Sequence, residues 1–229
     1  VGTGIVFVRT DITDRDNRIP VRGDTVVDAR LNTMIENAAG VRLSTIEHLM
    51  AAFCALGISN AVIEVDGPEL PILDGSALPF VQLLDRAGFR RQPNPVRYIE
   101  ILEPIHVVDG DKHAALLPCD RYEMRFEIDF DNAVIGNQVI DFVVDEPTFR
   151  NEIMAARTFG FAHEVEALRK AGLARGGSLE NAVVIDGDLI LNPGGLRMER
   201  EFVRHKALDA IGDLYVLGAP LLGRYEGYK

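Results

Sequence analysis

The sequence predicts an α+β fold, on three observations. Short segments rich in β-branched and aromatic residues alternate with amphipathic helical segments along the chain. The first half runs strands, helix, strand, helix, and the second half repeats that rhythm loosely. Between them, residues 90–97 hold two prolines and three arginines, the composition of a linker. With 229 residues, 47% hydrophobic and 26% charged, the chain has the length of one large domain or two small ones and enough apolar content for a packed core.

The elements follow in order. Gly4 to Arg9 reads as a strand, Asp11 to Pro20 as a polar loop, and Val21 to Asn37 as strand and turn. Ser44 opens a helix: Ser44-x-x-Glu47 has the form of a capping box, and Gly57 stands where a helix closes. Asn60 to Val65 alternates as a strand, and Pro68 to Asp74 is rich in turn residues. Asp74 or Ser76 then caps a second helix to Gly88, with Phe80, Leu83, Leu84 and Ala87 on one face. Past the linker, Tyr98 to Val108 and Lys112 to Pro118 are strand-like, with Asp109-Gly110 as a hairpin signal. Tyr122 to Phe130 alternates so that Tyr122, Met124, Phe126, Ile128 and Phe130 share one face, and Val139 to Val144 is a further strand. Thr148 to Ala156 and Ala162 to Ala171 read as short helices, Ala182 to Ile185 and Leu189 to Leu191 as a hairpin around Asp186-Gly187. Glu199 to Leu217 is the longest helix, stopped by Gly218 and Pro220.

The charge balance, 24 Lys and Arg against 35 Asp and Glu, gives a net −11. That does not suit a general nucleic-acid binder or a peripheral protein of an anionic membrane, although it allows one local basic pocket for a phosphorylated small molecule. Cys54, in the apolar run Ala51 to Leu56, reads as a buried free thiol. With Cys119 as the other cysteine, there is no disulfide framework and no C-x-x-C zinc spacing, so a reducing, cytoplasmic compartment is expected. No stretch approaches the ~18 apolar residues of a transmembrane helix, and no signal peptide is recognisable.

Chemistry concentrates in the last helix. His205 and Asp209 are four apart and share a helical face, which Asp213 continues one turn on. Such a pair can reach one divalent cation; taken alone, it is more often a solvated helix surface with an i,i+4 His–Asp pair. Glu47-His48 in the first helix offers a third ligand, His48, and a base beside it, Glu47, although Glu47 is also the expected capping-box residue. Two imidazoles and a carboxylate with an open position make a catalytic zinc set. Spacing alone does not bring residue 48 to residue 205. His106, His113 and His163 have no partner at ligand spacing, and Gly176-Gly177-Ser178 reads as an ordinary turn or a loop open to a ligand, not a P-loop.

Four segments, Ser44 to Ala52, Pro71 to Ala77, Ala156 to Phe161 and Glu201 to Leu214, closely resemble the UDP-3-O-acyl-N-acetylglucosamine deacetylases, zinc amidases that commit Gram-negative bacteria to lipid A synthesis. The resemblance runs in order over nearly the whole chain. It implies two similar domains, 1–93 and 94–229, each a sheet with two helices, sandwiching the active site. An inserted βαβ segment at about 162–186 would form a passage for the acyl chain, lined by Gly177, Ser178 and Val184. It implies Zn²⁺ on His48, His205 and Asp209, Glu47 as general base, and Lys206 and Thr158 at the oxyanion. Phe159 would contact substrate and Asp213 would orient a catalytic histidine. The expected partner is a small-molecule UDP-sugar lipid precursor, with no nucleic acid and no transmembrane segment, and the chain is expected to be a monomer. The family also carries a Gly-Leu-His-Ser-like segment ahead of Gly4 and a Ser-Gly-His stretch after the Tyr-Lys pair, so incomplete coverage at both ends is expected. The accompanying alternative is a zinc- and ligand-binding fragment with little or no turnover.

Overall fold

In the computed structural model, residues 2–164 and 176–229 are described. They form two compact units interleaved in sequence: Val1–Ile72, Phe80–Ile99 and Leu208–Leu221 make the first, and Leu73–Pro79, Glu100–Ala207 and Leu222–Lys229 the second. The architecture is mixed α+β, with several small sheets and few helices.

In the first unit, β1 (Ile5–Arg9) is the strand its composition predicts, and Ile5, Val6 and Phe7 are buried. The polar run before Pro20 is not all loop. It ends in β2 (Arg18–Pro20), where Ile19 is fully buried against β1. A three-residue strand that ends in proline is too short a pattern to announce itself. Three short strands, β3 (Val26–Asp28), β4 (Met34–Glu36) and β5 (Arg42–Leu43), make a separate antiparallel sheet. Helix α1 (Glu47–Ala55) follows, buried from Glu47 through Phe53 as a helix apolar on every side must be. β6 (Ala61–Val65) then returns parallel to β1, and a parallel pair requires the crossover that α1 supplies.

Two readings of this unit need correction. Ser44 does not cap α1. Its backbone N–H and C=O bond Pro68 and Leu70 across a bridge, the N-cap is Ile46 with no side-chain cap, and Thr45 between them has φ 61°. In α2 (Leu78–Ala87), Phe80 and Val81 are buried and Leu84 half-buried, whereas Leu83 and Ala87 are exposed. The buried stripe therefore runs one position from the expected one, through Ala77, Phe80, Val81 and Leu84. Asp74 does organise the start of the helix, accepting from the Ser76 backbone and hydroxyl.

The second unit is built on a six-stranded sheet. β7 (Ile99–Glu100) leads into the hairpin of β8 (Ile105–Asp109) and β9 (Lys112–Leu117), closed where Asp109 pairs Lys112. β10 (Tyr122–Asp129) shows the expected alternation, its Tyr122, Met124, Phe126 and Ile128 buried, and pairs antiparallel with β11 (Asn137–Val143). The helix expected over Thr148 to Ala156 is instead a short α3 (Glu146–Thr148), capped by Asp145, that widens into a π-turn (Phe149–Ile153). β12 (Phe159–Phe161), β13 (Val183–Asp186) and β14 (Leu189–Ile190) form a small sheet of their own, the last two as the expected hairpin. The helix expected at Ala162 to Ala171 lies largely outside the described residues. Helix α4 (Glu201–Tyr215) is the long one expected.

The final strand, β15 (Leu221–Tyr228), was not legible in the sequence, yet it sits inside the sheet in the order β11-β10-β15-β9-β8. Gly223 and Gly227 interrupt its apolar pattern. A Cβ at Gly223 would lie 2.5 Å from Ile101 Cγ1, so the residue that hides the strand is the one that lets its neighbour pack. No helix among the described residues is long and apolar enough to cross a membrane.

Candidate functional site

Glu47 and His48 open α1. Both are buried, at 7% and 4% exposure. The helix start is held by the left-handed Thr45, whose hydroxyl donates to Glu69. A β-branched residue in that region is strained, so the surrounding contacts fix the entry to this helix tightly. Glu47 does not close a capping box; its carboxylate accepts the Thr33 backbone N–H at 3.0 Å. The Thr33 hydroxyl donates to Asp213, so this one residue holds both carboxylates.

Gly212 decides how near α4 comes to α1. A Cβ there would stand 2.0 Å from the Glu47 carbonyl oxygen, so no other residue permits this approach. One turn earlier, Asp209 Oδ1 lies 3.5 Å from His48 Nε2. Helix α4 is unbroken from Glu201 to Tyr215 and carries His205 one turn before Asp209. His205 is 2% exposed, and its Nδ1 lies 3.0 Å from the Ala156 carbonyl. A carbonyl can only accept, so Nδ1 carries the proton and Nε2 becomes the ligating atom. Ligand atoms of His48, His205 and Asp209 all lie within 4.8 Å of one another. Two neutral imidazoles and one carboxylate, nearly enclosed, suit a zinc ion of the catalytic kind.

Without a metal, the three carboxylates and the burial set the proton affinities of the group. Burial, reinforced by the Asp209 charge, raises the Glu47 carboxyl above its usual range. Burial alone would lower His48, but the Asp209, Glu47 and Asp213 carboxylates outweigh it and leave the imidazole raised. A carboxylate with raised proton affinity is suited to accept a proton near neutral pH.

The remaining candidates belong to the second unit, apart from Asp213. Thr158 is fixed through its backbone, its N–H donating to Gly75 and its C=O accepting from Val183, each at 2.8 Å. The Phe159 ring stands edge-on to Phe202 at 4.9 Å and to Phe130 at 5.9 Å. The Lys206 ammonium lies 5.9 Å from the centre of the Phe159 ring, a cation–π arrangement. Gly177 and Ser178 sit in the loop before β13. Ser178 is exposed and shares a turn with Asn181, while Val184 on β13 is half-buried and its N–H donates to Asn192.

Three residues escaped the sequence reading: Thr33, Arg157 and Glu201. Arg157 and Glu201 are buried at 7% and 0% exposure and pair at 2.8 Å. Both lie in segments already singled out, Ala156 to Phe161 and Glu201 to Leu214, but Glu201 ends the charged run Glu199-Arg200-Glu201 and reads there as a solvated helix start. Thr33 carried no signal, because its role depends on a loop conformation.

Comparison with known proteins adds a direct finding. The sequence model of a family described as UDP-3-O-acyl N-acetylglycosamine deacetylase matches residues 1–229. A UDP-3-O-acyl-N-acetylglucosamine deacetylase of Phenylobacterium zucineum (strain HLK1) is 66% identical over 225 residues, covering 98% of this chain and 77% of the relative. Proteins of the same name from Shewanella frigidimarina (strain NCIMB 400) and Myxococcus xanthus (strain DK1622) are each 50% identical over the whole chain, which spans 75% and 72% of their lengths.

Proposed function

Because the chain belongs to the UDP-3-O-acyl N-acetylglycosamine deacetylase family, we propose that it hydrolyses the acetamide of a UDP-3-O-(3-hydroxyacyl)-N-acetylglucosamine in a zinc-dependent reaction, at the committed step of lipid A biosynthesis. Water adds to the amide carbonyl and the C–N bond breaks. Acetate leaves, and the sugar keeps a free 2-amine. The observation that carries this reading is the enclosed group of His48, His205 and Asp209 in a chain of that family.

His48, His205 and Asp209 would hold the zinc. When bound, the ion supplies Lewis-acid chemistry toward an amide carbonyl and water. Glu47 takes the proton of the attacking water, its raised proton affinity and its bond from Thr33 supporting that role. Thr158 and Lys206 serve the developing oxyanion, a contribution worth about 3–4 kcal/mol per donor. Phe159 takes the sugar or its acyl chain, Gly177, Ser178 and Val184 line the acyl passage, and Asp213 orients a catalytic group. The protein works as a cytoplasmic monomer. The thiol content and the UDP-sugar substrate support the compartment.

The test is deacetylation of a UDP-3-O-acyl-N-acetylglucosamine by the metal-free chain, before and after one equivalent of zinc. Activity restored by zinc, and lost in His205→Ala, supports the reading. Unchanged turnover in a strong chelator would refute the zinc dependence.

A further inference from the structure

The buried Arg157–Glu201 pair is not explained by stability alone, since apolar residues of similar volume generally serve as well at such positions. Its hydrogen bonds point to a different purpose. The Glu201 carboxylate accepts from the Arg157 backbone N–H at 3.0 Å, from Arg157 Nε at 2.8 Å and Nη2 at 3.2 Å, and from the Arg197 backbone N–H at 2.7 Å. The Arg157 N–H belongs to the same peptide group as the Ala156 C=O, and that carbonyl accepts from His205 Nδ1 at 3.0 Å. Glu201 and His205 are one turn apart on α4, so a single peptide plane spans from one to the other.

From this arrangement we propose that Glu201 is a positioning residue for His205, acting through the 156–157 peptide. The carboxylate holds and polarises the peptide N–H. This makes the Ala156 oxygen a stronger acceptor, which fixes the proton on Nδ1 and aims Nε2 outward as the ligating atom. A carboxylate bonded directly to a ligand histidine is the usual device; here one peptide group is interposed. The adjoining backbone is immobilised to match. Ala155 C=O accepts from Arg197 Nη1 at 3.3 Å, and Thr158 N–H donates to Gly75 at 2.8 Å. The Arg157 side chain neutralises the buried carboxylate and also donates to Gly195 C=O at 2.9 Å.

The inference rests on the zinc reading only for its consequence, because the tautomer can be measured without metal. In the metal-free full chain at a pH where the imidazole is neutral, long-range ¹H–¹⁵N correlation should show His205 protonated at Nδ1. In Glu201→Gln the signal should become a mixture of tautomers, and zinc affinity by chelator competition should fall about 10- to 100-fold. The paired replacement Arg157→Leu with Glu201→Leu removes both charges without leaving one stranded, and should lower zinc affinity likewise while keeping the wild-type far-UV circular dichroism. An Nε2–H tautomer in the wild-type chain overturns the proposal outright. So does either variant that is folded and keeps both the wild-type tautomer and zinc affinity. A wild-type chain that binds no zinc overturns the metal reading instead, and the tautomer then decides the relay by itself.

Discussion

Glu47 shows how a single side chain is tuned by its surroundings. Burial and the Asp209 charge raise its proton affinity in the metal-free protein, so the folded state binds this proton more tightly than the unfolded chain does. The sign follows: below the usual carboxyl range Glu47 costs nothing, and the cost grows as pH rises through the raised folded value. Metal-free Glu47→Gln should therefore gain stability relative to wild type as pH rises above the usual carboxyl range, measured by urea unfolding at acidic and at neutral pH. In the zinc-loaded protein the same substitution should cut turnover about 10²- to 10⁴-fold while one zinc per chain is retained; a variant with full turnover would remove Glu47 from the role of base. Cys54 is a second case. Burial pushes its thiol up to about 12, so at pH 8 it should resist iodoacetamide in the folded chain and react once urea unfolds it.

At the scale of elements, backbone contact does what side-chain patterning does not announce. Gly212 lets α4 lie against the first residue of α1, and Asp209 meets His48 because of it. Gly212→Ala should force the helices apart at a cost of about 1–3 kcal/mol, read from the urea midpoint, with weakened zinc binding. Gly223 plays the corresponding part in β15, where Gly223→Ala meets the Ile101 side chain and should destabilise by a similar amount. Both helices of the candidate metal group are entered through non-glycine left-handed residues, Thr45 before α1 and Arg200 before α4. Strain of this kind persists only where the surroundings over-determine it.

At the scale of the molecule, the zinc proposed above would take one ligand from α1 and two from α4, elements far apart in sequence, so its binding would be linked to folding. With free zinc at about 100 times its dissociation constant, a site absent from the unfolded chain adds about 2.7 kcal/mol. Removing zinc with a chelator should therefore lower the melting temperature by several degrees, and His205→Ala should abolish the difference between zinc-loaded and stripped protein.

Much of this was legible in the chain itself. The period-two run of β10, the hairpin at β8–β9, the helical stripe of α4 and the His205–Asp209 spacing are local patterns, and local patterns survive in a linear sequence. What escaped shares one cause. The capping role of Ser44 yielded to a bridge with residues far along the chain, β15 was hidden by glycines that matter only beside Ile101, and Thr33 acts only where a loop meets two distant carboxylates. The sequence by itself determined the family, the α+β class and the residue types available for zinc chemistry. Only the tertiary structure decided which nitrogen of His205 bonds the Ala156 carbonyl, what holds Glu47, and how near His48 comes to Asp209, because those depend on hydrogen bonds and backbone approaches between residues that no spacing brings together.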